Sequence, residues 1–233
     1  MAIDTSFGEV RQFEDFLLTA IADTPEIESL AVAATGVTEI KALGIDGRLN
    51  LGVDTCNDDD IAAVSFGKLN WRSGANDLKM DARIFIDSIT DNKFFVGFGD
   101  SLASADETSF SATTDTVTID TMADAIGILF DNDATTKVLW CVAGATDSVT
   151  ANKSLNAKYN PVAAQAITLG CFLSADRTSA AWYVNNEEVY RIDGSTALVA
   201  ATDLVPMVQN FEQATANIIS VDYLYGRKGR STT

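Results

Sequence analysis

The side chains with which this sequence could most readily do chemistry are carboxylates. It holds 33 aspartates and glutamates against 16 lysines and arginines, and no histidine. Asp58 and Asp60 are one residue apart, as are Asp131 and Asp133. On a strand, such a pair shares one face, the placement that paired-carboxylate glycoside hydrolysis needs. The adjacent Glu187 and Glu188 would instead point to opposite faces. Asn57–Asp60 and Asp131–Asp133 could also offer oxygen ligands to calcium, but neither has the glycine and distal glutamate of an EF-hand loop. Asp and Asn favour turns because they bond their own backbone, so both runs are read as solvated turns and no metal is expected.

Without histidine there is no serine or cysteine triad of the kind that uses it as base, and no histidine-ligated zinc. Cys56, Cys141 and Cys171 are odd in number and far apart, which fits free thiols and a reducing cytoplasm rather than a disulfide framework or a CxxC knuckle. No cofactor is implied. Among the aromatics, Trp140 and Trp182 sit inside alternating segments and read as core. Trp71, beside Arg72 and the Ser73–Asn76 turn, is the candidate for stacking on a sugar ring.

A net charge of −17 repels phosphate backbones and anionic membranes, so neither nucleic acid nor membrane is an expected partner. The first residues lack the basic and apolar regions of a signal peptide, and no apolar run approaches the roughly 20 residues of a membrane span.

Three regions must position these side chains. In residues 1–44, Phe13, Phe16, Leu17 and Ile21 recur at helical spacing up to Pro25. Ile27, Leu30, Ala31 and Ala34 suggest a second short helix. This N-terminal arm is expected to be partly helical, and Phe13, Phe16, Leu17 and Ile21 are its candidate docking residues. From residue 45 to 226 the period becomes two. Met80, Ala82, Ile84 and Ile86 alternate with mostly charged residues, and further rows follow, such as Phe94, Val96 and Phe98. Turns at Asp91-Asn92 and Asn185-Asn186 and a last row of Ile219, Val221, Tyr223 and Tyr225 complete the pattern. Strands at short intervals, with no helix-length insert, predict an all-β antiparallel sandwich. Strands apolar on both faces, such as the one holding Phe94 and Phe95, must be covered on both sides. Residues 101–121 read as a long loop over the sandwich, and residues 227–233 as a basic C-terminal tail.

Three segments resemble the concanavalin A-like lectin/glucanase jelly roll in its laminin-G-like form. Ala82-Arg-Ile-Phe-Ile-Asp-Ser-Ile leads to Phe94-Phe-Val-Gly-Phe-Gly-Asp100, with Asp81 where the family usually has glutamate. Ala181-Trp-Tyr-Val-Asn-Asn-Glu-Glu-Val189 is similar to the family's strand hairpin, with Asn186 in place of glycine. Ile219-Ser-Val-Asp-Tyr-Leu-Tyr225 is similar to its closing strand. The resemblance implies a jelly-roll sandwich over residues 45–226. The glucanases of that family carry an E-x-D-x-E triplet, which is absent here, so the expectation is a non-enzymatic protein with no catalytic residues.

The phrasing most resembles jelly-roll proteins of tailed-bacteriophage virions. That implies a capsid decoration or cement protein, made in the host cytoplasm and carried on the capsid surface. Its partners would be the major capsid protein and copies of itself, as a homotrimer. The alternative is a lectin-like carbohydrate-binding module of a phage fibre or adhesin.

Overall fold

The computed structural model describes residues 2–5, 9–16, 28–32, 37–43, 47–55, 61–66, 71–90, 92–100, 110–120, 122–212 and 217–229. In chain order the strands are β1 (Ala2–Thr5), β2 (Glu9–Glu14), β3 (Glu28–Val32), β4 (Val37–Leu43), β5 (Arg48–Thr55), β6 (Ile61–Ser65) and β7 (Trp71–Arg72). There follow β8 (Leu78–Ile86), β9 (Asn92–Gly99), β10 (Phe110–Thr113), β11 (Thr116–Ile119), β12 (Ala125–Asp131), β13 (Leu139–Ala145) and β14 (Ser148–Ser154). The last are β15 (Ala166–Leu173), β16 (Ala180–Val184), β17 (Glu187–Ile192), β18 (Asp203–Glu212) and β19 (Ile219–Gly229).

Two large antiparallel sheets face one another, as the alternation predicts. The nine-stranded sheet runs β1-β2-β19-β8-β15-β16-β17, with β5 also beside β19 and β4 beside β5. The eight-stranded sheet runs β14-β13-β12-β9-β18-β6-β3, with β7 against β18. Between them lies the main core, to which β8 gives Met80, Ala82 and Ile84 and β9 gives Phe94, Val96 and Phe98. Polar bonds cross between the sheets: the Trp182 indole N–H donates to the Gly127 carbonyl at 2.8 Å, and the Asn210 carboxamide donates to the Leu51 carbonyl at 3.0 Å.

The central strands of the eight-stranded sheet are buried on their outer face too, because the segment read as a loop contains a hairpin. Thr114 and Asp115 both have positive φ, the primed turn that suits hairpin twist, and they join β10 to β11. Phe110, Ala112 and Val117 of this hairpin pack on Phe95, Leu129 and Trp140 to form a second core. All of β9 and β12 is consequently buried. Gly97 and Gly127 stand opposite one another, and a Cβ on either would meet the Phe95 ring at 2.5–2.7 Å.

The N-terminal arm differs from expectation. The described parts of residues 1–44 are strands, not helices, and they belong to the sheets: β2 pairs with β19, β3 with β6 and β4 with β5. Pairing with distant strands overrides a spacing that imitates a helix. Of the basic tail, Arg227, Lys228 and Gly229 continue β19 and pair with β2, the first two also with β8, whereas residues 230–233 lie outside the described residues. A bulge between Val221 and Tyr223 corrects the last row. Ile219, Val221 and Leu224 enter the core, whereas Tyr223 and Tyr225 remain partly exposed.

Candidate functional site

Because Leu78, Met80, Ala82, Ile84 and Ile86 of β8 point into the core, Lys79, Asp81, Arg83 and Phe85 point out from the nine-stranded sheet. Strand register sets Asp81 beside Gly170 of β15 and Tyr225 of β19. Gly170 stands beside Tyr183 of β16, and Tyr225 beside Phe13 of β2. One row therefore crosses five strands: Phe13, Tyr225, Asp81, Gly170, Tyr183.

A pocket of about 190 Å³ opens in the middle of this face, lined by Lys79, Asp81, Thr168, Gly170, Tyr183 and Asn186. Gly170 is required there by close approach. A Cβ would lie 2.7 Å from the Met80 carbonyl oxygen and 2.9 Å from Asp81 Cβ, so a side chain would displace the carboxylate. Asn186 is presented by a second primed turn: Asn185 and Asn186 have φ of 50° and 65°. The Asn185 side-chain oxygen accepts from the Thr168 N–H at 3.0 Å, and the Asn185 N–H donates to the Thr168 carbonyl at 2.7 Å. That pair of bonds ties the turn to β15.

Asp81 is half-buried. Burial pushes its carboxyl above the usual carboxylate range, opposed by a hydrogen bond from Tyr223 and by the charge of Lys79. Tyr223 is raised in turn, first by its own burial and then by the Asp81 charge, and its hydroxyl also bonds to Thr168. The β19 bulge puts Tyr223 within reach of Asp81, and it also lets Asp222 pair with Arg83 at 3.2 Å. On the other side of the pocket, the Lys79 ammonium stands 5.5 Å from the centre of the Tyr183 ring. The Tyr183 hydroxyl donates to Glu188 at 3.4 Å, and Glu188 takes two bonds from Arg191 at 2.6 and 2.8 Å. Glu187 faces the other way and accepts from Tyr159 at 2.7 Å, so the two adjacent glutamates do point to opposite faces.

The assembly offers a carboxylate, a carboxamide, a hydroxyl, an ammonium and an aromatic ring around a glycine. Few but convergent polar groups on an apolar base are what orients a small ligand. At about 190 Å³ the pocket is smaller than the roughly 300 Å³ at which enclosing ligand clefts begin, so it suits a ring lying on the surface.

The residues singled out in the sequence fare differently. Trp71 is fully buried, held near Phe66 and Phe98 with ring centroids 6.3 Å apart in each case, and it cannot stack on a glycan. Its place is made by Gly226, where a Cβ would come within 2.7 Å of the indole. The docking stripe is divided. Phe13 is 46% exposed on β2, whereas Phe16 is in the core. A strand followed by a turn separates residues that a helix would have aligned. Leu17 and Ile21 lie outside the described residues, as do Asn57–Asp60. Asp131 is buried rather than solvated and accepts from the N–H groups of Ala112 at 2.8 Å and Asp133 at 3.0 Å, so it anchors the β10–β11 hairpin. Among the described residues no three His, Cys, Asp or Glu side chains gather where they could hold a metal ion.

No family model matches the chain, and no curated protein matches it in sequence. Solved structures do resemble it. A β-glucanase of Bacillus licheniformis superposes with a TM-score of 0.62 at 12% identity, over 94% of this chain and 98% of that one. The carbohydrate recognition domain of Emp47p gives 0.59 at 10% identity, over 97% and 96%. Peanut lectin gives 0.58 at 12% identity, over 97% and 99%. These are concanavalin A-like lectin/glucanase jelly rolls, so the expected fold holds. At such identities the likeness establishes the fold alone.

One expectation is overturned. A fold shared with a β-glucanase and a glycosidic hydrolase is one that carries enzymes, and a non-enzymatic role cannot be read from it. None of the named structures concerns a bacteriophage or a capsid, so they lend the decoration-protein reading no support. The carbohydrate-binding alternative fits them better.

Proposed function

We propose that this protein binds carbohydrate at the Asp81 pocket of the nine-stranded sheet. The observation that carries the reading is the convergence of Asp81, Asn186, Thr168 and Tyr183 around Gly170. A carboxylate held by Tyr223 keeps acceptor capacity for sugar hydroxyls, since an ionised carboxyl has about four lone-pair sites. Asn186 both donates and accepts, and the Tyr183 ring offers an apolar face to the C–H side of a pyranose. Among the described residues that line the pocket, Asp81 is the one carboxylate, whereas glycoside hydrolysis uses two, so the function assigned to this pocket is binding. The fold shared with two carbohydrate-directed proteins, a lectin and a recognition domain, supports the same reading.

The test is an array of immobilised neutral glycans, followed by calorimetric titration of the ligands that bind. Asp81→Ala and Tyr183→Ala should each abolish detectable binding while the protein stays folded by circular dichroism. Binding that survives both substitutions, or its absence across the array, overturns the proposal. Reducing ends released from each bound glycan are assayed in parallel, so that cleavage is detected wherever in the molecule it occurs.

A further inference from the structure

We infer that the ligand is an extended neutral oligosaccharide that crosses the strands of the nine-stranded sheet, with Phe13 as a second stacking platform beyond the pocket. The inference rests on the carbohydrate reading of the Asp81 pocket and adds the class and orientation of the ligand. Phe13 is 46% exposed, on the same outward row as its register partner Tyr225. Its ring lies 5.7 Å from that of Tyr223, and Tyr223 bonds to Asp81. Phe13 is thus joined to the pocket by contact as well as by the row of register partners.

The geometry sets the length. Phe13 on β2 and Tyr183 on β16 are separated by three intervening strands, β19, β8 and β15. At about 4.8 Å between neighbouring strands, the two rings stand about 19 Å apart. That is too far for one sugar ring and suits a chain of several units. Between the rings the row holds Tyr225, Asp81 and Gly170, an aromatic, an acceptor and a gap, repeating across the sheet what a chain of linked rings presents along its length. Neutrality follows from charge. The central group is a carboxylate, and a protein of net charge −17 repels anionic polysaccharides at long range.

The experiment titrates the protein and its Phe13→Ala, Phe13→Tyr and Asp81→Ala variants with β-linked glucose oligosaccharides of one to six units. Affinity should rise at least tenfold from disaccharide to hexasaccharide. Phe13→Ala should weaken hexasaccharide binding about tenfold, equivalent to about 1.4 kcal/mol, and leave the disaccharide unchanged. Phe13→Tyr should restore the hexasaccharide affinity, and Asp81→Ala should abolish binding at every length. An unaltered hexasaccharide affinity in Phe13→Ala, with Asp81→Ala inactive, overturns the extended row and leaves the pocket standing. No binding at any length by the unaltered protein overturns the inference together with this class of ligand for the pocket. Self-association that Phe13→Ala removes, with glycan affinity unchanged, would assign the row to a second copy of the chain and also overturn it.

Discussion

Replacing Asp131 by alanine should loosen the β10–β11 hairpin from the eight-stranded sheet and destabilise the protein measurably. Asp131 is buried and accepts from Ala112 N–H at 2.8 Å and Asp133 N–H at 3.0 Å. Hydrogen bonds to charged groups contribute roughly 1.5–3 kcal/mol each. Ala112 is fully buried, so its donor would be left without water, while the exposed Asp133 can recruit solvent. Counting the Ala112 bond fully and the Asp133 bond at a fraction gives about 3 kcal/mol. For a domain of this size each kcal/mol lowers Tm by about 2–4 °C, so a fall of about 6–12 °C is expected. Asp131→Asn, which retains one acceptor oxygen, should fall about half as far. Hydrogen exchange should show the Ala112 amide losing protection before the central strands do, because the hairpin is the element released. A shift under about 2 °C for Asp131→Ala, with the Ala112 amide still protected, would refute the reasoning. The hairpin would then be held by the packing of Phe110, Ala112 and Val117 and by the bonds of Asp115 to Thr136.

Gly127→Ala should destabilise by more than the roughly 1–3 kcal/mol typical of overpacking. Its Cβ would stand 2.4 Å from the Val96 carbonyl oxygen, and the urea midpoint reads the loss. Trp182→Phe removes the donor to the Gly127 carbonyl and should cost about 1–3 kcal/mol in thermal unfolding. Cys141 and Cys171 should resist a thiol reagent until the protein unfolds, because burial pushes both thiols far above their ordinary value. Asp81→Asn should stabilise the protein at neutral pH. The folded state raises the Asp81 pKa, so it binds that proton more tightly than the unfolded chain, and the ionised form costs stability above the raised value. The gain over the unaltered protein should shrink as pH falls through the raised value toward the ordinary one. A gain independent of pH would contradict this assignment.

The sandwich was legible because its information is local. Period-two rows between turns, such as Met80, Ala82, Ile84 and Ile86 before Phe94, Val96 and Phe98, occur within single strands. The Asn185-Asn186 turn was equally plain, since both residues tolerate positive φ. The N-terminal strands were not legible. β2 forms by pairing with β19 at the far end of the chain, and its Phe13 and the following Phe16 sit at a spacing that also satisfies a helix. Trp71 beside a turn reads as exposed, and only the packing of Phe66, Phe98 and Gly226 buries it. The bulge in β19 left no mark, although it decides which tyrosines face outward. The pocket draws on β8, β15, β16 and the turn after it, so no continuous motif announces it. The available signal was Gly170, a glycine in the middle of a mostly apolar strand, which often marks a close approach of another group.

The two outer faces of this sandwich have been put to different uses, and the reason lies in which residues alternate. On β12 the residues that face away from the main core include Ala125, Gly127 and Leu129, small or apolar groups that water would solvate poorly. A hairpin carrying Phe110 and Val117 closes over them, tied at Ala112 by Asp131 and at its turn by Asp115, which accepts from Thr136 N–H at 2.6 Å. On β8 the corresponding residues are Lys79, Asp81 and Arg83, which cannot be covered by an apolar hairpin without stranding their charges. That face stays open, and its aromatic neighbours Phe13, Tyr223 and Tyr183 stay partly exposed beside a carboxylate. On the carbohydrate reading, this open face offers an exposed ring, Phe13, and a half-buried acid whose ionised form costs stability. The stabilisation expected of Asp81→Asn and the loss of binding expected of Asp81→Ala therefore test one statement from two sides. A protein that gains stability when Asp81 is neutralised yet keeps its glycan affinity would break the link between them.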